Sequence, residues 1–166
     1  MTTYGYDANG NRTSVATPAA TTTYTYDNRN RLETAVAGGQ TTTYAYRDDG
    51  LKESVTYPNG TATAYTYTAA RRIETITHTR LADSTLISSY SYAYDVNGNR
   101  SQQVENQNGA SETTDYVYDD LDRLVQFTVT GADTTVTAYT YEAYNRKTET
   151  VTVNGVLAKA RAYSYD

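Results

Sequence analysis

The sequence predicts an all-β protein made of tandem antiparallel β-hairpins. Three observations point there. A Tyr-x-Tyr pair recurs along the chain, a turn signature follows it at a fixed distance, and Thr, Tyr and Val abound where Leu, Ile and Phe are sparse. Self-similarity at a fixed period marks repeat architectures, and these residue types suit a pleated, half-buried surface.

The pairs are Tyr4/Tyr6, Tyr24/Tyr26, Tyr44/Tyr46, Tyr65/Tyr67, Tyr92/Tyr94, Tyr116/Tyr118, Tyr139/Tyr141 and Tyr163/Tyr165. Their first members lie 20, 20, 21, 27, 24, 23 and 24 residues apart, giving seven full units and the opening strand of an eighth. Tyrosines at i and i+2 share one face of a strand. The next residue is usually acidic: Asp7, Asp27, Asp95, Asp119, Glu142 and Asp166. Three residues further stand Gly10, Asn30, Gly50, Arg71, Gly98, Asp122 and Asn145. Gly, Asn and Asp tolerate a left-handed backbone, and a leading Asp accepts hydrogen bonds from the amides that follow. Asp7-Ala8-Asn9-Gly10 therefore reads as a type I turn closed by a left-handed residue, a common three-residue hairpin connection.

Outgoing strands follow, as in Arg31–Val36, Arg123–Phe127 and Lys147–Val151, with the alternation of a strand. Second turns then carry Gly38-Gly39, Asn59-Gly60, Asn108-Gly109, Gly131 or Asn154-Gly155, which are hairpin signals. The expectation is a meander of about fifteen strands, two per repeat, forming a single array over positions 1–166. Two units depart from the pattern. The turn Thr68-Ala69-Ala70-Arg71 has neither Asp nor Gly, and the repeat at about 65–91 is long, with its extra residues between His78 and Ser89. Tyr90-Ser91-Tyr92-Ala93-Tyr94 offers two registers; the Asn97-Gly98-Asn99-Arg100 that follows favours Tyr92/Tyr94-Asp95.

Composition narrows the function classes. Trp is absent, Phe127 is the single Phe, and Tyr occurs 19 times in 166 residues. The net charge of -5, with arginines spread along the chain, gives no basic face for nucleic acid. No apolar run is long enough to span a membrane, and Met1-Thr2-Thr3-Tyr4 lacks the basic and apolar regions of a signal peptide. There is no Cys, hence no thiol chemistry.

Each repeated residue type has two readings. The Tyr pairs could stack sugars, but their unbroken recurrence favours ladders that supply the apolar area of a Leu-poor sheet. The turn aspartates could ligate a metal, yet Asp7-x-Asn9-Gly10-Asn11 has no second acidic ligand or bidentate Glu at calcium-loop spacing; turn capping is favoured. Arg12, Arg31, Arg72, Arg100, Arg123 and Arg146 could bind an anion, but pairing with carboxylates or stacking on Tyr rings is favoured. His78 is the only imidazole, and no motif sets a nucleophile or acid beside it. The sequence thus offers no catalytic site, no metal site and no cofactor.

The motif Tyr-x-Tyr-Asp-x-x-Gly-Asn-Arg, complete at Tyr4–Arg12 and Tyr92–Arg100, resembles the YD (Rhs) repeat family. Tyr24–Leu32 and Tyr116–Leu124 fit its Arg-Leu variant. The family includes bacterial polymorphic toxins, insecticidal toxin complexes, wall-associated proteins and teneurins, whose repeats spiral into hollow β-shells. The resemblance implies a curved, spiralling sheet or shell segment, a scaffold or enclosure role, and a secreted or cell-surface setting within a larger bacterial protein. An adhesion module recognising a glycan or surface protein is the alternative, and an enclosure fragment of a toxin another. The chain starts and finishes on Tyr-x-Tyr strands without a cap. Open edge strands template pairing, so self-association is expected, head to tail into a filament or ring, or else through adjoining repeats of a longer parent.

Overall fold

The computed structural model describes residues 1–165; Asp166 lies outside them. The chain forms two compact units, residues 1–87 and the chain from Ser88 onward. The first holds β1 (Thr3–Tyr6), β2 (Arg12–Ala16), β3 (Thr21–Tyr26), β4 (Leu32–Ala37), β5 (Gln40–Tyr46), β6 (Lys52–Thr56), β7 (Thr61–Tyr67) and β8 (Ile73–Arg80). The second holds most of β9 (Thr85–Tyr94), then β10 (Arg100–Gln107), β11 (Ala110–Tyr118), β12 (Leu124–Thr130), β13 (Thr134–Glu142), β14 (Asn145–Val153) and β15 (Val156–Ala162). Within each unit every strand pairs antiparallel with its neighbour in sequence, and the strand order is linear.

Hairpins form because the tyrosine-side turn closes the same way in every repeat but the one that turns at Glu142. In the first repeat the Asp7 amide donates to the Asn11 carbonyl at 2.9 Å and the Gly10 amide to the Asp7 carbonyl at 3.1 Å. Equivalent pairs close the turns beginning at Asp27, Arg47, Thr68, Asp95 and Asp119. The fourth residue of each is left-handed, including Asn30 (φ 58), Asp122 (φ 58) and Arg71 (φ 62). Arg71 shows the turn dominating over residue preference: the Thr68 side chain takes Asp's part, accepting the Arg72 amide at 3.2 Å.

The turn after Glu142 differs from the expectation. Glu142 pairs directly with Asn145, so two residues connect the strands and Ala143 (φ 51), rather than Asn145, is left-handed. Asn145 is drawn into β14, and the tighter turn needs its left-handed residue earlier. In the long repeat, the extra length goes into an eight-residue β8, a ten-residue β9 and a turn over 81–84. β9 ends at Tyr94 and Asp95 opens the turn.

Residues opposite one another in an antiparallel pair share a face. Tyr4 faces Val15, Tyr24 faces Ala35, Tyr44 faces Val55 and Tyr65 faces Ile76. In the second unit Tyr92 faces Gln103, Tyr116 faces Phe127 and Tyr139 faces Glu149. The other face carries small and hydroxyl residues; Thr25–Thr34, Thr66–Thr75 and Thr140–Thr148 approach across strands at 2.7, 2.7 and 2.6 Å. Among the described residues Val55, 3% exposed, is the only fully buried apolar side chain. Thr63, Ser88, Thr114, Thr137 and Glu149 are the buried polar ones. Among the described residues burial is thus shared along the tyrosine face.

Candidate functional site: a tyrosine face locked at its turn edge

The backbone ladder between neighbouring hairpins does not reach the tyrosine-side turns. It stops at Ser14–Thr23, Thr34–Thr43, Ser54–Ala64, Gln102–Asp115 and Gln126–Ala138. Each incoming strand then runs on to the second tyrosine of its pair. Just there the hairpin's own register slips, as between Gly5 and Tyr6 or Thr25 and Tyr26, past the point where its pairing to the preceding hairpin has ended. A side chain makes the link there. The hydroxyls of Tyr26, Tyr46 and Tyr67 donate to the carbonyls of Arg12, Leu32 and Lys52 at 2.9, 2.9 and 2.8 Å. In the second unit Tyr118 donates to Arg100 at 3.0 Å and Tyr141 to Leu124 at 2.7 Å. In every case the acceptor lies five residues past the opening position of the preceding turn. Burial raises the Tyr46, Tyr67 and Tyr118 hydroxyl pKa values, so they remain donors at neutral pH.

The first tyrosines are stacking partners. Arg12 lies over Tyr24 at 5.0 Å, Arg100 over Tyr92 at 4.6 Å and Arg146 over Tyr139 at 4.2 Å. Arg31 and Arg123 cover Tyr46 and Tyr141 at 4.5 and 4.6 Å. Lys52 sits between Tyr44 and Tyr65 at 5.6 and 5.9 Å. Arg72 stands immediately after the Thr68 turn and donates its amide to Thr68. No described Tyr is fully buried.

The turn carboxylates cap. Asp7 Oδ1 accepts the Asn9 and Asn11 amides at 3.0 and 2.8 Å; Asp27 and Asp119 accept their counterparts at 2.9 to 3.0 Å. Their pKa values are held below the usual carboxylate range: Asp7 by the Asn11 side-chain amide, Asp27 by the Arg31 backbone amide, and Asp119 by the Arg123 side chain. At Asp95 burial pushes upward, but hydrogen bonds from Asn99, backbone and side chain, prevail. A depressed folded value gives stability that is present above the unfolded pKa and lost as pH falls through the folded one. Thermal unfolding followed by circular dichroism is therefore expected to stay level from about pH 7 to 5 and to fall below about pH 4. The Asp27→Asn, Asp119→Asn double variant should show a shallower acid slope; an identical slope would remove the turns from the acid response.

Sequence reasoning missed several groups. Arg47 stands where Asp is usual, and Asp49 supplies the acceptor instead, taking the Leu51 amide at 3.2 Å and pairing with Arg47 at 3.2 Å. Glu149, 9% exposed, replaces the apolar partner of Tyr139 and bonds Lys159 at 2.6 Å and the Tyr163 hydroxyl at 2.8 Å. Lys159 is the first cause of its lowered pKa. His78 lies on the tyrosine face with Nδ1 2.8 Å from the hydroxyl of Thr63. Thr63 is 1% exposed, so that hydroxyl meets no open space. Among the described residues no group of three metal-ligating side chains converges, and no helix is long and apolar enough to cross a membrane.

Residues 1–80 match the family model described as the teneurin YD-shell. No curated protein matches the sequence. Among solved structures, a crystal structure of TcdB2–TccC3–Cdc42 is similar with TM-score 0.82 and 18% identity, covering 96% of this chain. The Photorhabdus luminescens Tc holotoxin pore gives 0.83, 17% and 97%. TcdB2–TccC3 without its hypervariable C-terminal region gives 0.80, 19% and 92%. At such identities the likeness is one of fold, and this chain spans only 9% of the length of each of those chains.

Proposed function

We propose that this YD/Rhs-repeat chain is a segment of protein wall, a structural sheet whose hairpins are built to continue into adjoining repeats. The observation that carries the reading is the recurring bond from a second tyrosine to the preceding hairpin's carbonyl. Each joint uses the same two groups, so hairpins add without new contacts, as in solenoids. The fold likeness and the YD-shell match support a setting in the secreted or cell-surface shell of a larger bacterial toxin.

Strand direction separates two forms of this reading. β1 and β15 both run toward the tyrosine-side turn edge. In the array an incoming strand is always flanked by outgoing strands. Copies joined head to tail, β15 against β1, would set two incoming strands together. That supports adjoining repeats of a longer chain over filaments or rings of copies. Light scattering coupled to size-exclusion chromatography, with negative-stain microscopy, is expected to show no regular polymer. Regular filaments or rings would restore head-to-tail assembly as the function.

A second reading has its own observation: the Tyr rings are half-open and carry guanidinium groups over them. An adhesive face for a glycan or surface protein would need this. Calorimetric titration with oligosaccharides is expected to show no saturable heat; a saturable isotherm lost in Tyr24→Ala would favour adhesion.

A further inference from the structure

We propose that the turn edge carries a pairing code, and that the code makes the outer side of β1 selective for the outgoing strand of a guanidinium-bearing YD hairpin. The inference rests on the wall reading above and names the partner of one edge. Two kinds of joint recur between successive turns, while the joint past Leu51 is made from the other side, by Arg71 donating to the Asp49 carbonyl at 2.8 Å. In the first, the residue four past the turn's opening position is Asn. Asn11 Nδ2 donates to its own Asp7 Oδ2 at 2.9 Å and to Asn30 Oδ1 in the next turn at 2.8 Å; Asn9 adds a bond of 3.1 Å to the same oxygen. The second unit repeats this joint. Asn99 and Asn97 donate to Asp122 Oδ1 at 2.7 and 2.9 Å, and Asn99 also holds Asp95 at 3.2 Å. Both acceptors are side-chain oxygens on a left-handed residue, φ 58 in each.

In the second kind of joint that position is Arg. Arg31 Nε holds Asp27 at 2.7 Å, while Nη1 reaches the Arg47 carbonyl at 3.3 Å. Arg123 holds Asp119 in the same way and reaches the Ala143 carbonyl. The longer fork reaches backbone, so the receiving turn needs no side chain at its left-handed position. The turn receiving Arg31 has Gly50 there. In sequence, the other internal turn with glycine at that position, Gly98, follows a turn carrying Arg72.

The first turn also has glycine, Gly10, with open space where a side chain would begin. It offers no side-chain oxygen. An Asn-type hairpin laid against β1 would leave its amide without the acceptor it has elsewhere, whereas an Arg-type hairpin would find the Asp7 carbonyl. Tyr6, 63% exposed, waits beside it for the carbonyl that its counterparts have.

The test extends the full chain. A copy of residues 21–40 is placed before Met1, which keeps the 20-residue spacing from the added Tyr24 to Tyr4, either unchanged or with Arg31→Asn in the added copy, and hydrogen exchange is read at the β1 amides. The Arg-bearing copy is expected to slow exchange about tenfold more than the Asn-bearing copy, the effect of one charge-assisted hydrogen bond. Adding Gly10→Asn, which tolerates the left-handed backbone, should restore protection by the Asn-bearing copy. Equal protection by both copies overturns the code and leaves the wall reading standing. Protection by neither overturns both.

Discussion

Val55→Asp is expected to destabilise the first unit by at least about 3 kcal/mol, the largest effect of any single change considered for this chain. Val55 lies on β6 between Tyr44 and Thr63 in one cross-strand row and is 3% exposed. A carboxylate there would be withdrawn from water in the row between Tyr44 and Thr63. The neighbouring Thr56→Asp points to the opposite, open face and should change stability by less than about 0.5 kcal/mol. Urea unfolding of the two variants decides the matter. Equal losses would mean that the tyrosine face is not where burial is concentrated.

The second large effect is cumulative. Tyr→Phe removes only the hydroxyl, leaving the ring to pack and the partner carbonyl unpaired. Each of Tyr26, Tyr46 and Tyr67 should contribute about 1 kcal/mol. The joints lie in different hairpins, so the triple variant should lose about 3 kcal/mol. Tyr6→Phe is the control: it sits on the outer edge strand, 63% exposed, and should be close to neutral. If the triple variant lost no more than Tyr6→Phe, the ladder and the stacked arginines would be holding the hairpins together without the hydroxyls.

These two expectations mark what sequence could and could not disclose. The alternation of Tyr44-Ala45-Tyr46 and Ser54-Val55-Thr56 makes strands and faces readable, because period two is written in residue type. The turns at Asp7, Asp27, Asp95 and Asp119 are readable for the same reason: capping and left-handed preferences are local. The hydroxyl-to-carbonyl joint is not local. It exists because the register slips one residue before each turn and the ladder to the next hairpin ends early, and neither event has a residue signature. Arg71 and Ala143 adopt left-handed backbones that their types disfavour, since the flanking strands fix the turn. Asn145 looked like the left-handed residue by count, but its pairing with Glu142 shortened the connection. Glu149 was hidden in an unremarkable Thr-Glu-Thr, and only its place opposite Tyr139 shows that it stands at an apolar position.

The joint between hairpins has a further consequence for how such a sheet lives and changes. Its two halves lie only 14 to 18 residues apart in sequence. Ordering can therefore proceed by short loop closures, each hairpin docking as soon as the one before it exists, which is the regime of quick folding. Loss of order should likewise advance from an edge, one hairpin at a time, as nearest-neighbour coupling dictates. Length then becomes an adjustable quantity: a hairpin can be duplicated or deleted, and the break heals wherever a tyrosine meets the next available carbonyl.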